Sequence, residues 1–347
     1  MSVLNSKFPN GPFGDPALLL WEGKNRKRHA LLFDCGDLSR FTNREILKVT
    51  HLFISHAHMD HLFGFDLLLR VHMGKVKTMQ IVGPPETSKH IGGKLQGYTW
   101  NLTQDHDLNF EVTDLAPVAK QKTITLFKAS DQFNPSSVRV EAWDLEIPVA
   151  KTALWEVRAA FLDHRTPSIA YTISQNPYFY VDISAIQAMG LSPGPWINEI
   201  KKIGLHQKNY LPTVRVSTEE GAIRDLETEW LADQILRSGH QYKIAYVTDG
   251  AASVENKNTL LNFVKDADLL YSETCFLSED EAAAIETKHF TAKFIGRLAK
   301  ETGVKRLAPF HFSKRYLGKA EKIIAEIRSE FPGEITLVKQ EAVQARF

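Results

Sequence analysis

The chain has 347 residues, of which 43% are hydrophobic and 24% are charged, and its formal net charge at pH 7 is +1. This balance excludes a uniformly basic surface, so any contact with RNA must come from local clusters. No apolar run reaches the roughly 20 residues of a membrane span, the first residues lack a secretory signal pattern, and two cysteines do not make a disulfide framework. We therefore expect a cytoplasmic protein with no membrane partner.

The first two predicted elements form a β-hairpin. Residues 16–22 and 29–34 are short apolar segments, and the polar residues 23–27 separate them. Residues 24–28 are a basic cluster, which is typical of a solvated turn, and its contact with a substrate stays open.

The next segments alternate between strands and helices. Residues 49–54 are an apolar strand, residues 62–73 have apolar side chains at helical spacing, and residues 80–85 are a buried strand stopped by Gly-Pro. Several β-rich runs follow between residues 121 and 174. These patterns predict sheets inside the protein and helices outside.

Residues 176–203 differ from their surroundings because glycine and proline interrupt them repeatedly. Ile183, Ile186 and Met189 fit one short helix face, and Trp196 and Ile200 fit another. Two short helices joined by a Ser-Pro-Gly-Pro turn predict an inserted helical arm. A packed helical hairpin is the alternative.

The C-terminal part returns to the alternation of strands and helices. The predicted strands and helices are residues 243–247, 256–265, 267–272, 278–286, 291–302, 304–308 and 318–330. We find no repeat or linker, so the prediction is a single α/β domain over residues 1–347, with ligands on loops at one edge of the sheets.

Residues 55–61 contain the most informative motif, His56-x-His58-x-Asp60-His61. Imidazole and carboxylate groups are the usual ligands of zinc and related ions. Because the motif directly follows a predicted strand, its side chains can point towards one place. A histidine-rich polar turn is the alternative, and the spacing disfavours it.

Further ligand candidates follow other apolar strands. They are His164 after AAFLD, Asp249 after KIAYVT and His311 after RLAPF. Each is a weak signal alone, because a polar residue at a strand end is often a cap. Together with the first motif they complete two sets around a shared carboxylate.

At this point the sequence resembles a known family. The segments LLFDCGD, LFISHAHMDHLFG, IVGPP, LDHRTPSIAY, GLSPGPW, SETCF, KHFTA and PFHFSKRY match motifs of ribonuclease Z, the tRNA 3′-processing endonuclease of the metallo-β-lactamase superfamily. The resemblance implies an α/β metallo-β-lactamase fold, an αββα four-layer sandwich with a small helical arm. It extends from about residue 31 to residue 316.

The resemblance implies two Zn²⁺ ions per chain, although Mn²⁺ or Fe²⁺ fit the same ligands. Two such ions would hold a hydroxide and clamp a phosphate. Asp34 would orient the metal loop without being a ligand. The implied ligands are His56, His58 and His164 for one ion, Asp60, His61 and His311 for the other, and Asp249 as a bridge.

The implied catalytic residues are Asp60, His289 and Glu273. The family places this histidine over the scissile phosphate, and a carboxylate partner would favour its acid form. Capping of the following helix is the alternative role of His289. Ser313 and Arg315 are candidates for phosphate contact, and a structural salt bridge is the alternative for Arg315.

The family activity is removal of the 3′ trailer from precursor tRNA, with the arm gripping the tRNA, often across a homodimer. Flanking residues depart from the family pattern, including Ser272, Phe290, Thr248 and Gly250, and these departures put the substrate in doubt. The alternative is a phosphodiesterase for a small substrate such as a cyclic nucleotide. A lactonase or β-lactam hydrolase and an inactive binding subunit are weaker alternatives.

Overall fold

A computed structural model describes residues 4–22, 29–152, 154–205 and 207–344. The chain divides into two compact units, one formed by the residues up to Ser174 together with those from Tyr242 onward, and the other by residues Gln175–Gln241. The turn of the predicted N-terminal hairpin and the basic cluster at residues 24–28 lie outside the described residues, apart from their flanking strands.

The first part of the larger unit forms an eight-stranded sheet in the order β1 to β8. Its inner strands β3 to β6 run parallel, and the outer pairings are antiparallel. The elements are β1 (Leu4–Lys7), β2 (Leu18–Glu22), β3 (Ala30–Phe33), α1 (Asn43–Ile46), β4 (Val49–Phe53), α2 (Met59–Leu62), α3 (Phe65–His72), β5 (Lys77–Gly83), α4 (Thr87–Leu95), β6 (Leu108–Ala116), β7 (Gln121–Lys128) and β8 (Pro135–Ala142).

The rest of the chain completes a second sheet and forms the smaller unit. The elements are β9 (Ala150–Lys151), β10 (Trp155–His164), β11 (Thr166–Gln175), β12 (Phe179–Val181), α5 (Ile183–Ala188), β13 (Leu191–Ser192), α6 (Ile197–Gly204), β14 (Thr213–Thr218), β15 (Ile223–Glu227), α7 (Thr228–Ile235), β16 (Leu236–Ser238), β17 (Lys243–Val247), α8 (Val254–Phe263), β18 (Leu269–Glu273), α9 (Glu281–Thr287), α10 (Ala292–Glu301), β19 (Arg306–Phe310), α11 (Ala320–Glu330) and β20 (Glu334–Ile335). The second sheet has the order β20-β19-β18-β17-β11-β10-β9.

The two sheets pack face to face through a shared aromatic core. Phe33 of the first sheet lies 5.7 Å from Tyr171 and 5.9 Å from Tyr246 of the second, measured between ring centroids. Phe53 and Phe310 belong to the same buried cluster. Because side chains of a strand alternate between faces, each sheet has an opposite apolar face that must also be covered.

Helices cover both outer faces. Phe65 and Ile91, on α3 and α4, are fully buried against the first sheet. Ile295 and Ile323, on α10 and α11, are fully buried against the second. The expected αββα four-layer sandwich is thereby confirmed.

The predicted helix over residues 62–73 is wrong at its start. The structure has a separate turn, α2, and a break at Gly64 before α3 begins at Phe65. A Cβ atom on Gly64 would lie 2.6 Å from the carbonyl oxygen of Gly36, so only glycine fits there. Because of this break, Asp60 and His61 lie on a separate helical turn, close to the other histidines of the motif.

The smaller unit contains the predicted arm and continues beyond it. α5 and α6 are the two expected short helices, and Ile186, Trp196 and Ile200 are buried in a core of their own. The sequence analysis ended the arm at residue 203, whereas the compact unit extends to residue 241. Its added part is the antiparallel hairpin β14–β15 and helix α7.

Candidate metal centre

The seven predicted ligands come together in the larger unit. His56, His58, Asp60 and His61 follow β4 of the first sheet, while the other three lie at the ends of β10, β17 and β19 of the second sheet. Their ligand atoms form two groups, and within each group these atoms lie within 4.8 Å of one another. The first group is His56, His58, His164 and Asp249, and the second is Asp60, His61 and His311.

Asp249 lies at the middle of the cluster. Its Oδ2 atom is 3.6 Å from Nε2 of His56, 3.5 Å from Nε2 of His164 and 3.4 Å from Nε2 of His61. Its Oδ1 atom is 3.6 Å from Nδ1 of His311. One buried carboxylate therefore faces both groups, as a bridging ligand would.

Asp60 occupies the outer side of the second group. Its Oδ2 atom is 3.2 Å from Nε2 of His311 and 3.5 Å from Nε2 of His61. The Asp60 side chain is 41% exposed, whereas that of His61 is fully buried. His58 of the first group is exposed as well, so each group has one side open to solvent.

Three nitrogen atoms of the cluster have surroundings that suit a metal ligand better than a hydrogen-bond donor or acceptor. Among the described residues, Nε2 of His56, Nε2 of His61 and Nδ1 of His311 are buried without a hydrogen-bond partner, although all three face the cluster. Buried nitrogen atoms of this kind are costly unless something satisfies them. Imidazole nitrogens and carboxylate oxygens that converge in this way are the donor set of Zn²⁺.

The electrostatics of the cluster favour a neutral ring at His56 and positive charge at His61. Burial and the neighbouring His61 lower the pKa of His56 to about 2, so this ring stays neutral. Burial opposes charge on His61, yet Asp249 and Asp34 raise its pKa to about 10. The carboxylates around His61 therefore stabilise a cation there.

Asp34 fixes the orientation of His61. Its fully buried carboxylate accepts a hydrogen bond of 2.8 Å from Nδ1 of His61 and one of 2.7 Å from the Tyr246 hydroxyl. It also accepts from the backbone N–H and the hydroxyl of Ser55, at 2.7 and 2.8 Å. Because a carboxylate only accepts, Nδ1 of His61 carries a proton, so Nε2 is the atom that would bind a metal in place of its own proton.

Three residues of the site adopt the left-handed backbone conformation, which residues other than glycine rarely adopt. They are Asp34, Asp249 and His311, with φ angles of 51°, 38° and 58°. Such conformations cost on the order of 1–3 kcal/mol each and persist where the surrounding packing imposes them. Each turns the chain sharply at a strand end, so that the side chain points into the cluster.

The buried Glu273 and the partly exposed His289 form a hydrogen-bonded pair next to the cluster. Nδ1 of His289 lies 2.7 Å from Oε2 of Glu273, while Oε1 of Glu273 accepts from the backbone N–H groups of Phe290 and Gly250 at 3.0 and 3.2 Å. Burial would lower the pKa of His289, but the Glu273 carboxylate raises it. The His289 ring lies 4.8 Å from that of His164, between centroids.

The capping role considered for His289 is wrong. Helix α10 begins at Ala292, and its cap is Thr291, whose hydroxyl accepts from the backbone N–H of Phe294 at 3.2 Å. The His289 ring instead turns towards Glu273 and the cluster, and its side chain is 16% exposed. It is thus partly open to solvent at the edge of the cluster.

Lys288 is a functional candidate that the sequence analysis missed. Its carbonyl oxygen accepts a hydrogen bond of 2.7 Å from Nδ1 of His164, which leaves Nε2 of that ring facing Asp249. Its ammonium group pairs with Asp163 at 2.6 Å. The loop that carries His289 is therefore attached twice to the end of β10. No local signal in the sequence predicts this, because the partners are 125 residues apart.

Comparison with solved structures shows the fold. The metallo-β-lactamase fold protein YhfI from Bacillus subtilis superposes with a TM-score of 0.53 at 15% identity, over 98% of this chain and 97% of that one. Human tRNase Z, short form, superposes with a TM-score of 0.50 at 17% identity, over 99% and 100%. The chain therefore has the metallo-β-lactamase fold.

Comparison of sequences finds relatives named Ribonuclease Z, although no family model matches the chain. Ribonuclease Z of Deinococcus radiodurans is 25% identical over 317 residues, covering 90% of this chain and 91% of that protein. Ribonuclease Z of Halorubrum lacusprofundi is 28% identical over 327 residues, covering 90% and 86%. The resemblance to ribonuclease Z is therefore confirmed over most of the chain.

The two candidate phosphate contacts differ in their surroundings. Arg315 forms an ion pair of 2.9 Å with Asp280, and its guanidinium lies 5.0 Å from the ring centroid of Phe276. These contacts favour the structural salt bridge for Arg315, and its phosphate contact stays a prediction. The backbone N–H of Ser313 donates to the Cys275 carbonyl at 3.0 Å.

None of the helices in the described ranges is long and apolar enough to cross a membrane.

Proposed function

We propose that this protein is a metal-dependent phosphodiesterase of the ribonuclease Z type, which removes the 3′ trailer from precursor tRNA. The observation that carries the proposal is the arrangement of two ligand groups around Asp249, with His289 beside them. The curated relatives named Ribonuclease Z and the solved tRNase Z support the substrate. We further propose two Zn²⁺ ions per chain, action in the cytoplasm, and a homodimer.

The residues that would hold the ions are the two groups described above, with Asp249 facing both. Two bound divalent ions would supply a hydroxide at neutral pH and neutralise phosphate charge during an in-line displacement. The chain's own part is to fix the ligands, which Asp34 does for His61 and the Lys288 carbonyl does for His164. His61 and His164 are themselves buried, which keeps water away from these two ligands.

His289 is the proposed proton donor to the leaving 3′ oxygen. Glu273 holds its Nδ1 atom at 2.7 Å and raises its pKa, so the charged form persists at higher pH than in a free histidine. A donor of this kind contributes about 10²–10⁴-fold to the rate. The backbone N–H groups of Phe290 and Gly250 donate to Glu273 and keep its carboxylate in place when His289 donates a proton.

The smaller unit is the proposed RNA-binding part, and its cations are unequal candidates. Lys202 is already paired with Glu199 at 2.9 Å, and Arg215 with Asp225 at 3.1 Å. In the part of the chain that the structure describes, the exposed cations without an ion pair include Lys201, Lys208 and Arg224. Such side chains are free to approach phosphate groups. We assign the RNA contact to these three.

The test is cleavage of precursor tRNA beside a small chromogenic phosphodiester. Asp60→Ala should abolish both activities, whereas His90→Ala, at an exposed histidine outside the site, should change neither. Replacing Lys201, Lys208 and Arg224 together with glutamate should raise KM for precursor tRNA at least tenfold, because phosphate contacts contribute most of the affinity for nucleic acid. The same triple variant should cut the small substrate at the rate of the wild type.

A cyclic-nucleotide phosphodiesterase is the second candidate, and the net charge of +1 favours it. Under this alternative, a panel of cyclic nucleotides would be hydrolysed faster than precursor tRNA. The charge-reversed triple variant would then leave every activity unchanged. Failure of the wild type to cut any phosphodiester with zinc, manganese or iron present would refute both candidates.

A further inference from the structure

A further group of ligand atoms lies beside the two already described. Sγ of Cys275 and one nitrogen atom each of His289 and His311 all lie within 4.8 Å of one another. Cys275 is a free, buried cysteine, 6% exposed, whereas the two histidines are partly exposed. A thiol with two imidazoles is a ligand set for zinc and for softer ions. The proposed hydrolysis does not use this thiol.

The backbone around Cys275 holds the group together. Cys275 follows β18, and its carbonyl oxygen accepts from the backbone N–H of Ser313, on the loop after β19, at 3.0 Å. The next residue, Phe276, donates its backbone N–H to the carbonyl oxygen of Phe290, on the loop before α10, at 3.2 Å. Both loops that carry the histidines are therefore fixed to the segment that carries the thiol.

Each histidine of this group has a nitrogen atom that can bind an ion. Nδ1 of His289 is bonded to Glu273 at 2.7 Å, which leaves Nε2 of that ring. Nδ1 of His311 is buried and has no hydrogen-bond partner among the described residues. A neutral imidazole has a single lone pair, so His311 binds one ion at a time. It can serve either the second ligand group or the group with Cys275.

The thiol gives this group a preference that the other two groups lack. Their donor atoms are imidazole nitrogens and carboxylate oxygens, which suit zinc, manganese or iron. Thiolate selects softer ions, and the binding of such an ion releases the thiol proton to solvent. A soft ion is therefore favoured at Cys275 over the two groups around Asp249.

We propose that Cys275, His289 and His311 form an inhibitory site for a soft divalent cation, for which Cd²⁺ is the probe. The ion occupies Nε2 of His289 and so removes the proposed proton donor. It also withdraws His311 from the second ligand group. Binding at this site does not depend on the proposed function, whereas the inhibition rests on it.

The first measurement adds Cd²⁺ to the zinc-loaded protein and records the ultraviolet charge-transfer absorption of a cadmium–thiolate bond. Exchange of zinc for cadmium in the other two groups gives no such absorption, because they contain no thiol. The wild type should show the absorption at a single Cd²⁺ per chain. Cys275→Ser and Cys275→Ala should lose it, and Cys35→Ala, at the other buried cysteine, should keep it.

The same titration tests the contribution of His289. His289→Ala should weaken Cd²⁺ binding at the thiol by about tenfold or more, because loss of a direct ligand costs at least as much as loss of a ligand's hydrogen-bond partner. Circular dichroism of each variant separates loss of the site from loss of folding.

The second measurement follows hydrolysis of the small phosphodiester during the titration. Without Cd²⁺, Cys275→Ser should cut at the rate of the wild type, and its half-inhibition should need about tenfold more Cd²⁺ or above. Three outcomes would overturn the proposal: no absorption in the wild type, absorption that survives in Cys275→Ser, or equal inhibition of the two proteins. Absorption in a wild type that cuts no phosphodiester would contradict the proposed function and leave the soft-metal site standing.

Discussion

Replacing Asp34 with asparagine should weaken metal binding through the tautomer of His61. Oδ2 of Asp34 receives hydrogen bonds from Nδ1 of His61, from Tyr246 and from Ser55. In Asp34→Asn one acceptor oxygen is lost: an amide N–H₂ group in place of Oδ1 faces the backbone N–H of Ser55, and one in place of Oδ2 donates towards His61. In the second orientation, His61 can keep its hydrogen bond only by moving its proton to Nε2, the atom that faces the cluster.

The expected magnitude follows from the hydrogen bond that must be given up. A charge-assisted hydrogen bond contributes about 1.5–3 kcal/mol, which corresponds to roughly 10- to 150-fold in affinity. Restoring the ligating tautomer of His61 in the variant forfeits this contribution. We therefore expect the affinity of the second ligand group to fall by about 10- to 100-fold, the range seen for hydrogen-bond partners of metal ligands.

The assay is competition for zinc between the protein and a chromogenic chelator, with the metal content of the purified protein as a second readout. Tyr246→Phe is the matched control, because it removes a donor to Asp34 while the acceptor for His61 remains. Its zinc affinity should stay within a few-fold of the wild type. If folded Asp34→Asn bound zinc as tightly as the wild type, the tautomer argument would be refuted.

Three further predictions concern other residues. His289→Ala should lower kcat by about 10²–10⁴-fold while the bound metal stays unchanged. Asp163→Asn should lower kcat by several-fold, because Lys288 then loses the ion pair that holds the loop of His289. Burial and Lys77 lower the pKa of His72 to about 4, so unfolding free energy should fall by about 3 kcal/mol as pH drops from 6.5 to 4.

Each of these has its own control. For His289, unchanged turnover in the alanine variant would remove it from the mechanism. For Asp163, the variant must keep its zinc content, since loss of metal would mean that His164 had moved. For His72, the sign follows because the unfolded chain binds the proton at pH 6.5 and the folded chain only near 4. His72→Gln in urea unfolding should flatten that part of the pH curve, and an unchanged slope would contradict the assignment.

The metal centre was predictable because each of its parts carries a local signal. His56 to His61 follow an apolar strand, and His164, Asp249 and His311 each end another. Polar residues at strand ends are readable from the sequence. Their division into two groups came from the family resemblance, and the geometry of the ligand atoms agrees with that division.

The features that were missed depend on distant parts of the chain. The break before α3 arises from a carbonyl oxygen of Gly36, which lies close only after folding. The attachment of His164 to Lys288 joins residues 124 positions apart. The hairpin β14–β15 could have been predicted from the sequence, since Val214 and Val216, which are buried, alternate with polar residues. The prediction relied on the nearby Pro-Gly turn, which indicated helices, and it therefore ended the arm before this hairpin.

Both ligand groups draw side chains from the two sheets. Each pairs residues of the loop after β4 with residues from the ends of strands in the second sheet. An ion in either group would therefore cross-link the two sheets of the sandwich, as a covalent bond between them would. At a free metal concentration 100 times the Kd, one such ion raises the unfolding free energy by about 2.7 kcal/mol. A chelator should thus lower the melting temperature as well as stop hydrolysis.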